Sequence, residues 1–175
     1  NAMIKNIERR IASWSQIPES HGEPIQVLRY KPGEEYRAHY DYFFHDAGKL
    51  NNRVATVLMY LSDVEVRLHL NIVVTSISLL LLTLQHGIDD ACLLNRQQGG
   101  GETVFPNTDM PRGRNQSAYS VCGNNGKAVK PQKGDALRFG GTQVGGVRDG
   151  VSSHAGAPVE RWENWTVTTG MQVAP

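Results

Sequence analysis

Turns punctuate this chain about every ten residues, and that rhythm leaves room for short strands and for little else. Lys31-Pro32-Gly33-Glu34 and Lys133-Gly134-Asp135 are corner sequences, and a glycine-rich stretch fills 140–150. Between the corners lie runs with strand character. Residues 24–30 alternate, 36–43 are rich in aromatics at strand-like spacing, and 54–61 are almost continuously apolar, as in a strand buried on both faces. Residues 103–106 form a short strand after a glycine turn, and 127–139 read as strand, turn, strand. Residues 152–159 and 165–173 close the pattern, with a polar loop over 107–126. One segment differs. Ile4, Ile7, Ile11 and Trp14 recur three or four apart, which predicts an amphipathic helix over 4–14 that stops near Pro18. A single helix followed by many short strands predicts a mainly β fold, a sandwich or jelly roll with an N-terminal supporting helix.

The size supports one domain over 1–175. Eighteen basic residues against 17 acidic ones leave a net charge of +1, and no basic run stands out, so no nucleic-acid or anionic-membrane partner is expected. Two cysteines, Cys92 and Cys122, are too few for a disulfide scaffold. The first residues lack the basic and then apolar pattern of a signal peptide. Because the chain starts on Asn1, it is expected to be an N-terminally truncated domain or to begin with a leading expression remnant.

One stretch breaks the rhythm. Residues 70–84 are uncharged, too long for a strand and shorter than the ~20 residues of a membrane span, so a buried or interfacial segment is expected.

His39-Tyr40-Asp41 is the sharpest local feature. On a strand, residues i and i+2 share a face, so an imidazole and a carboxylate converge. With one distant histidine they form the facial triad of non-haem Fe(II) oxygenases, which leaves coordination positions open. The third ligand comes from among His21, His45, His69, His86 and His154. A jelly roll brings its second and seventh core strands together, and His154 opens a late strand, so His154 is the choice.

At this point a family comes into view. Residues 7–12, 26–30 and 39–43 resemble prolyl 4-hydroxylases of the plant, algal and animal collagen type. So do Arg53–Glu65, Gly100–Pro106, Val129–Leu137 and Ser153–Val159, in family order. The resemblance implies an Fe(II)- and 2-oxoglutarate-dependent dioxygenase on a double-stranded β-helix, a jelly-roll variant. It would hydroxylate peptidyl proline at C4 while converting 2-oxoglutarate to succinate and carbon dioxide. His39, Asp41 and His154 match the family's iron ligands. Tyr30 and Thr103 match residues of the 2-oxoglutarate pocket, and Arg53 matches an arginine near the peptide site. The resemblance further implies ascorbate as a helper, a proline-rich substrate, and work in the endoplasmic reticulum or along the secretory route. Animal relatives assemble with a disulfide isomerase subunit and plant or algal ones act without it; nothing in these residues selects between them.

The chain also departs from the family pattern. Roughly 66–98 intervene between two matching blocks and resemble nothing in the family; an unspliced intron or faulty gene model is the favoured explanation, and a genuine inserted loop the alternative. Ten residues after the distal histidine the family places a lysine that pairs with the far carboxylate of 2-oxoglutarate. Here that position is Asn164, which is expected to weaken co-substrate binding, with Arg161 as the later cation that would have to reach in. Thr169 and Gly170 replace the family's closing Lys-Trp pair. Ala157 stands where a cysteine is often found, so Cys122 is expected to lack its family partner. Two functions follow: a working prolyl 4-hydroxylase, or a catalytically impaired metal- or peptide-binding relative.

Overall fold

The computed structural model describes residues 1–46, 52–64, 100–160 and 162–173. Helix α1 (Ala2–Ser15) opens the chain, with the Asn1 side chain accepting from the Met3 amide at its N-terminus. It ends at Gln16, which takes the left-handed conformation at φ 61°, just before Pro18. Eight strands follow: β1 (Gln26–Tyr30), β2 (Tyr36–His39), β3 (Arg53–Tyr60), β4 (Thr103–Phe105), β5 (Lys127–Val129), β6 (Ala136–Gly140), β7 (His154–Gly156) and β8 (Asn164–Gln172). They pair antiparallel into two four-stranded sheets, ordered β1-β8-β3-β6 and β2-β7-β4-β5. The chain changes sheet at every step except β4 to β5. This is the strand order of a jelly roll, so the expected fold class holds.

The alternation of β3 and β8 places the core and the site on opposite faces of the first sheet. Ala55 and Val57 of β3 and Met171 of β8 bury under Ile11 of α1, with Ile7, Ile17, Val54 and Met59 packed around them. Thr56 and Leu58, with Thr166, Thr168 and Gly170, face the other way, into a cavity between the sheets. The helix therefore supports the sheet that carries the site. Its buried stripe is narrower than the periodicity predicts, because Ile4 and Trp14 are exposed.

Strand β2 is shorter than expected. It stops at His39, its pairing with β7 is irregular between Tyr36 and His39, and Asp41 lies in the bend that follows. The shared-face rule for a continuous strand therefore does not explain why His39 and Asp41 meet; the bend does.

The loop over 107–126 is anchored from beneath. Glu102, 1% exposed, accepts from the Ser120 amide (2.9 Å) and hydroxyl (2.8 Å), and Ser120 Oγ accepts in turn from the Gly123 amide. A carboxylate buried this deeply is tolerable only with such partners. Cys122, in the same loop, is disulfide-bonded although Ala157 stands where its family partner was expected. The atypical segment 66–98, with His69, His86 and Cys92, lies outside the described residues, as does Arg161. Among the described residues, no helix is long and apolar enough to cross a membrane.

Candidate active site

His39 and His154 are directly opposed in the β2–β7 register, and Asp41 turns back toward both from the bend. One ligand atom from each lies within 4.8 Å of the other two, and this is the one such cluster among the described residues. His39 Nε2 stands 3.6 Å from Asp41 Oδ1, and His154 Nε2 stands 3.8 Å from Asp41 Oδ2. These separations are long for hydrogen bonds and suit donors that share a cation about 2 Å from each.

The imidazoles are held in one tautomer. His39 Nδ1 donates to the Arg37 carbonyl (2.8 Å) and His154 Nδ1 to the Ser152 carbonyl (3.0 Å), which leaves both Nε2 lone pairs facing the aspartate. The Asp41 carboxylate is fixed as firmly. Thr56 Oγ1 donates to Oδ2, and Arg53 Nη1 donates to Oδ1 at 3.2 Å. Burial opposes the Asp41 charge, yet His39, Thr56, His154 and Arg53 together hold its carboxyl well below the usual carboxylate range. Burial also works against a charged His154 and wins, pushing it down. At His39 burial is outweighed by Asp41 and the Arg37 carbonyl, and the imidazole is pushed up. Two imidazole nitrogens and one ionised carboxylate on one side of a cavity are a donor set that fits Fe(II). His21 takes no part, since its Nδ1 sits on the Gln172 carbonyl, and His45 stands outside the cluster.

The cavity behind the triad, about 190 Å³, is lined by the four residues expected at the co-substrate and peptide sites: Tyr30, Arg53, Thr103 and Asn164. Tyr30 and Asn164 are register partners across β1 and β8. Thr103 Oγ1 shares a hydrogen bond of 2.8 Å with the buried Tyr60 hydroxyl. Leu28, Leu58, Phe139 and Val159 supply apolar walls. Arg53 reaches inward rather than lying on the surface. Its Nε and Nη2 clasp both Glu23 oxygens at 2.6 Å, while Nη1 holds Asp41. Gly170 makes this possible, because a Cβ there would stand 2.5 Å from Arg53 Nε and 2.7 Å from Glu23 Oε1. The ion pair thus occupies the space that any side chain at this position would fill.

The far end of the cavity is lined by an amide. Asn164, 5% exposed, donates from Nδ2 to the Gly101 carbonyl (3.3 Å) and accepts from Ser62 (3.5 Å). Among the described residues Arg53 is the sole cation of the lining, and it is committed to two carboxylates. The described residues fit the metal, and among them none supplies a free counter-ion for a distal carboxylate.

Sequence reasoning missed four contributors. Thr56 was detectable as a lone polar residue in the apolar β3 run. Phe139, packed on the His154 ring with centroids 4.5 Å apart, looked like ordinary core. Glu23 and Thr166 carried no signal, because their roles exist only through pairing between distant strands.

No family model matches the sequence. The chain is 36% identical to the Arabidopsis thaliana protein "Probable prolyl 4-hydroxylase 4" and 38% identical to "Probable prolyl 4-hydroxylase 3", over 98% of its own length and 48% and 50% of theirs. It thus spans about half the length of these relatives. "Prolyl 4-hydroxylase 2" of the same plant is 34% identical over the same share of the chain. Among solved structures, a viral collagen prolyl hydroxylase from Paramecium Bursaria Chlorella virus-1, solved as its 2OG complex, superposes with a TM-score of 0.58 at 24% identity, covering 99% of this chain and 71% of that one. That superposition bears on the fold, and it agrees with the strand order. Across nearly all of its own length, the chain is similar in sequence to about half of each of these plant prolyl 4-hydroxylases.

Proposed function

We propose that this chain carries the catalytic domain of an Fe(II)- and 2-oxo-acid-dependent dioxygenase that hydroxylates peptidyl proline at C4. In the 2-oxoglutarate form of this reaction, succinate and carbon dioxide are released. The observation that carries the proposal is the meeting of His39, Asp41 and His154 across the β2–β7 register at a cavity of substrate size. Fe(II) held there supplies the activation of dioxygen that no protein side chain provides. The chain's own residues hold and shield. Arg37 and Ser152 carbonyls orient the imidazoles, and Thr56 and Arg53 orient the carboxylate. Leu28, Leu58, Phe139 and Val159 keep bulk water from the reacting centre.

A proline-rich peptide suits the entrance. Tyr36 is half exposed and lines the cavity, Phe44 is exposed, and Arg148 lies over the Tyr40 ring at 4.2 Å. Extended polyproline II chains dock on aromatic surfaces of this kind. Tyr42 does not contribute, being buried. The Cys122 disulfide favours an oxidising compartment, consistent with the secretory route and the endoplasmic reticulum. Ascorbate is proposed as the reductant that returns oxidised iron to Fe(II).

The test is peptide-dependent release of carbon dioxide from a carboxyl-labelled 2-oxo acid, with Fe(II), ascorbate and a poly-proline peptide, and His39→Ala as the blank. Release above the blank supports the hydroxylase. A folded chain that binds iron and peptide without turnover supports the second reading, an impaired binding relative, which Asn164 favours.

A further inference from the structure

Among the described residues, the part of the cavity remote from the triad is lined by polar but uncharged groups. Asn164 and Thr166 lie two apart on β8 and line the same cavity, with Tyr30 opposite Asn164 on β1 and Thr103 on the facing sheet. Thr166 is 4% exposed, yet its Oγ1 has no hydrogen-bond partner. A buried hydroxyl left unpaired is destabilising and is satisfied by water or by what the site binds. Asn164 is only loosely engaged, with contacts of 3.3 and 3.5 Å that leave a second amide hydrogen available. Gly101, at φ 73°, brings its backbone against this amide: a Cβ there would stand 3.2 Å from Asn164 Nδ2.

We propose that this pocket selects a 2-oxo acid whose distal end is a neutral hydrogen-bonding group, such as a primary amide, in preference to one ending in a second carboxylate. The inference rests on the dioxygenase reading above and names its co-substrate class. An amide presents a donor and an acceptor together, and Asn164 and Thr166 each offer both. A carboxylate only accepts, and it resists leaving water unless a cation meets it. The nearest described cation, Arg53, is held by Glu23 and Asp41. The surroundings also disfavour negative charge, since burial pushes the Tyr30 phenol upward.

The experiment is calorimetric titration of the purified chain, loaded with Mn(II) in the absence of peptide, with three acids: 2-oxoglutarate, its distal amide 2-oxoglutaramate, and 2-oxobutyrate, which has no distal polar group. The amide is expected to bind about ten-fold or more tightly than 2-oxoglutarate. Asn164→Lys is expected to reverse that order. Should Asn164→Lys not fold, Thr166→Val serves instead, with a several-fold loss for the amide and little change for 2-oxobutyrate. Tighter binding of 2-oxoglutarate than of the amide by the unaltered chain would overturn the inference while leaving the dioxygenase reading in place. Failure of all three acids to bind the Mn(II)-loaded chain would overturn both.

Discussion

The two ends of one cavity obey different rules. At the triad every side chain is oriented by partners: the imidazoles are fixed through Nδ1 by backbone carbonyls, and the carboxylate by Thr56 and Arg53. At the other end Asn164 is loosely held and the Thr166 hydroxyl is unpaired. Both ends open into one cavity that β8 lines from Asn164 to Gly170, so the contrast lies in the side chains. The iron end is built in advance and can bind a cation without rearrangement, while the far end is completed by its ligand. The lack of charge at Asn164 is therefore a local feature of the far end.

The largest expected effect removes the first end. Asp41→Asn takes away the anionic ligand, and metal affinity is expected to fall by more than the roughly 10–100-fold typical of an outer-sphere change. A Mn(II) titration followed by electron paramagnetic resonance checks it, and unchanged affinity would erase the distinction between the ends. Arg53→Met should fall within that 10–100-fold range, because it unclasps Asp41 without touching a metal ligand. Gly170→Ala, which presses a methyl against the Arg53–Glu23 pair, should reproduce the Arg53 effect in weaker form, a few-fold, by the same titration.

The remaining effect is on stability and concerns Tyr60, which packs on Thr103 of the cavity wall. Tyr60 is buried against Thr103, and burial pushes its phenol up to about 12. The unfolded chain loses this proton near pH 10, so the stabilisation is whole below that pH and is lost as pH rises from about 10 to about 12. Over that window the loss is on the order of 2–3 kcal/mol. Urea unfolding midpoints measured across it should decline less steeply in Tyr60→Phe than in the parent chain.

Much of this was legible before any coordinates. The spacing of turns and the β3 run predicted the jelly roll, and His39, Asp41 and His154 followed from chemistry that recurs with few residues. The helix stripe was overestimated because periodicity records which residues are apolar, while burial of Ile4 and Trp14 depends on how far the sheet extends beneath them. The bend at Asp41 was invisible, since nothing in Tyr36–Asp41 marks where pairing ends. The Arg53–Glu23–Asp41 chain was hidden for a different reason: it joins three segments distant in sequence and depends on the missing side chain at Gly170. Alignment to a family motif located Asn164, but the unpaired Thr166 hydroxyl beside it emerges only from the folded strand.

The most direct test of the central claim supplies the Fe(II)-loaded chain with labelled dioxygen, a poly-proline peptide and, in parallel, 2-oxoglutarate or its distal amide. The peptide is then analysed by mass spectrometry. One labelled oxygen atom on a proline ring, absent with His39→Ala, is the predicted result. An unlabelled peptide with both acids, from a chain shown to hold iron, peptide and 2-oxo acid together, would contradict the assignment of this cavity as a hydroxylase site.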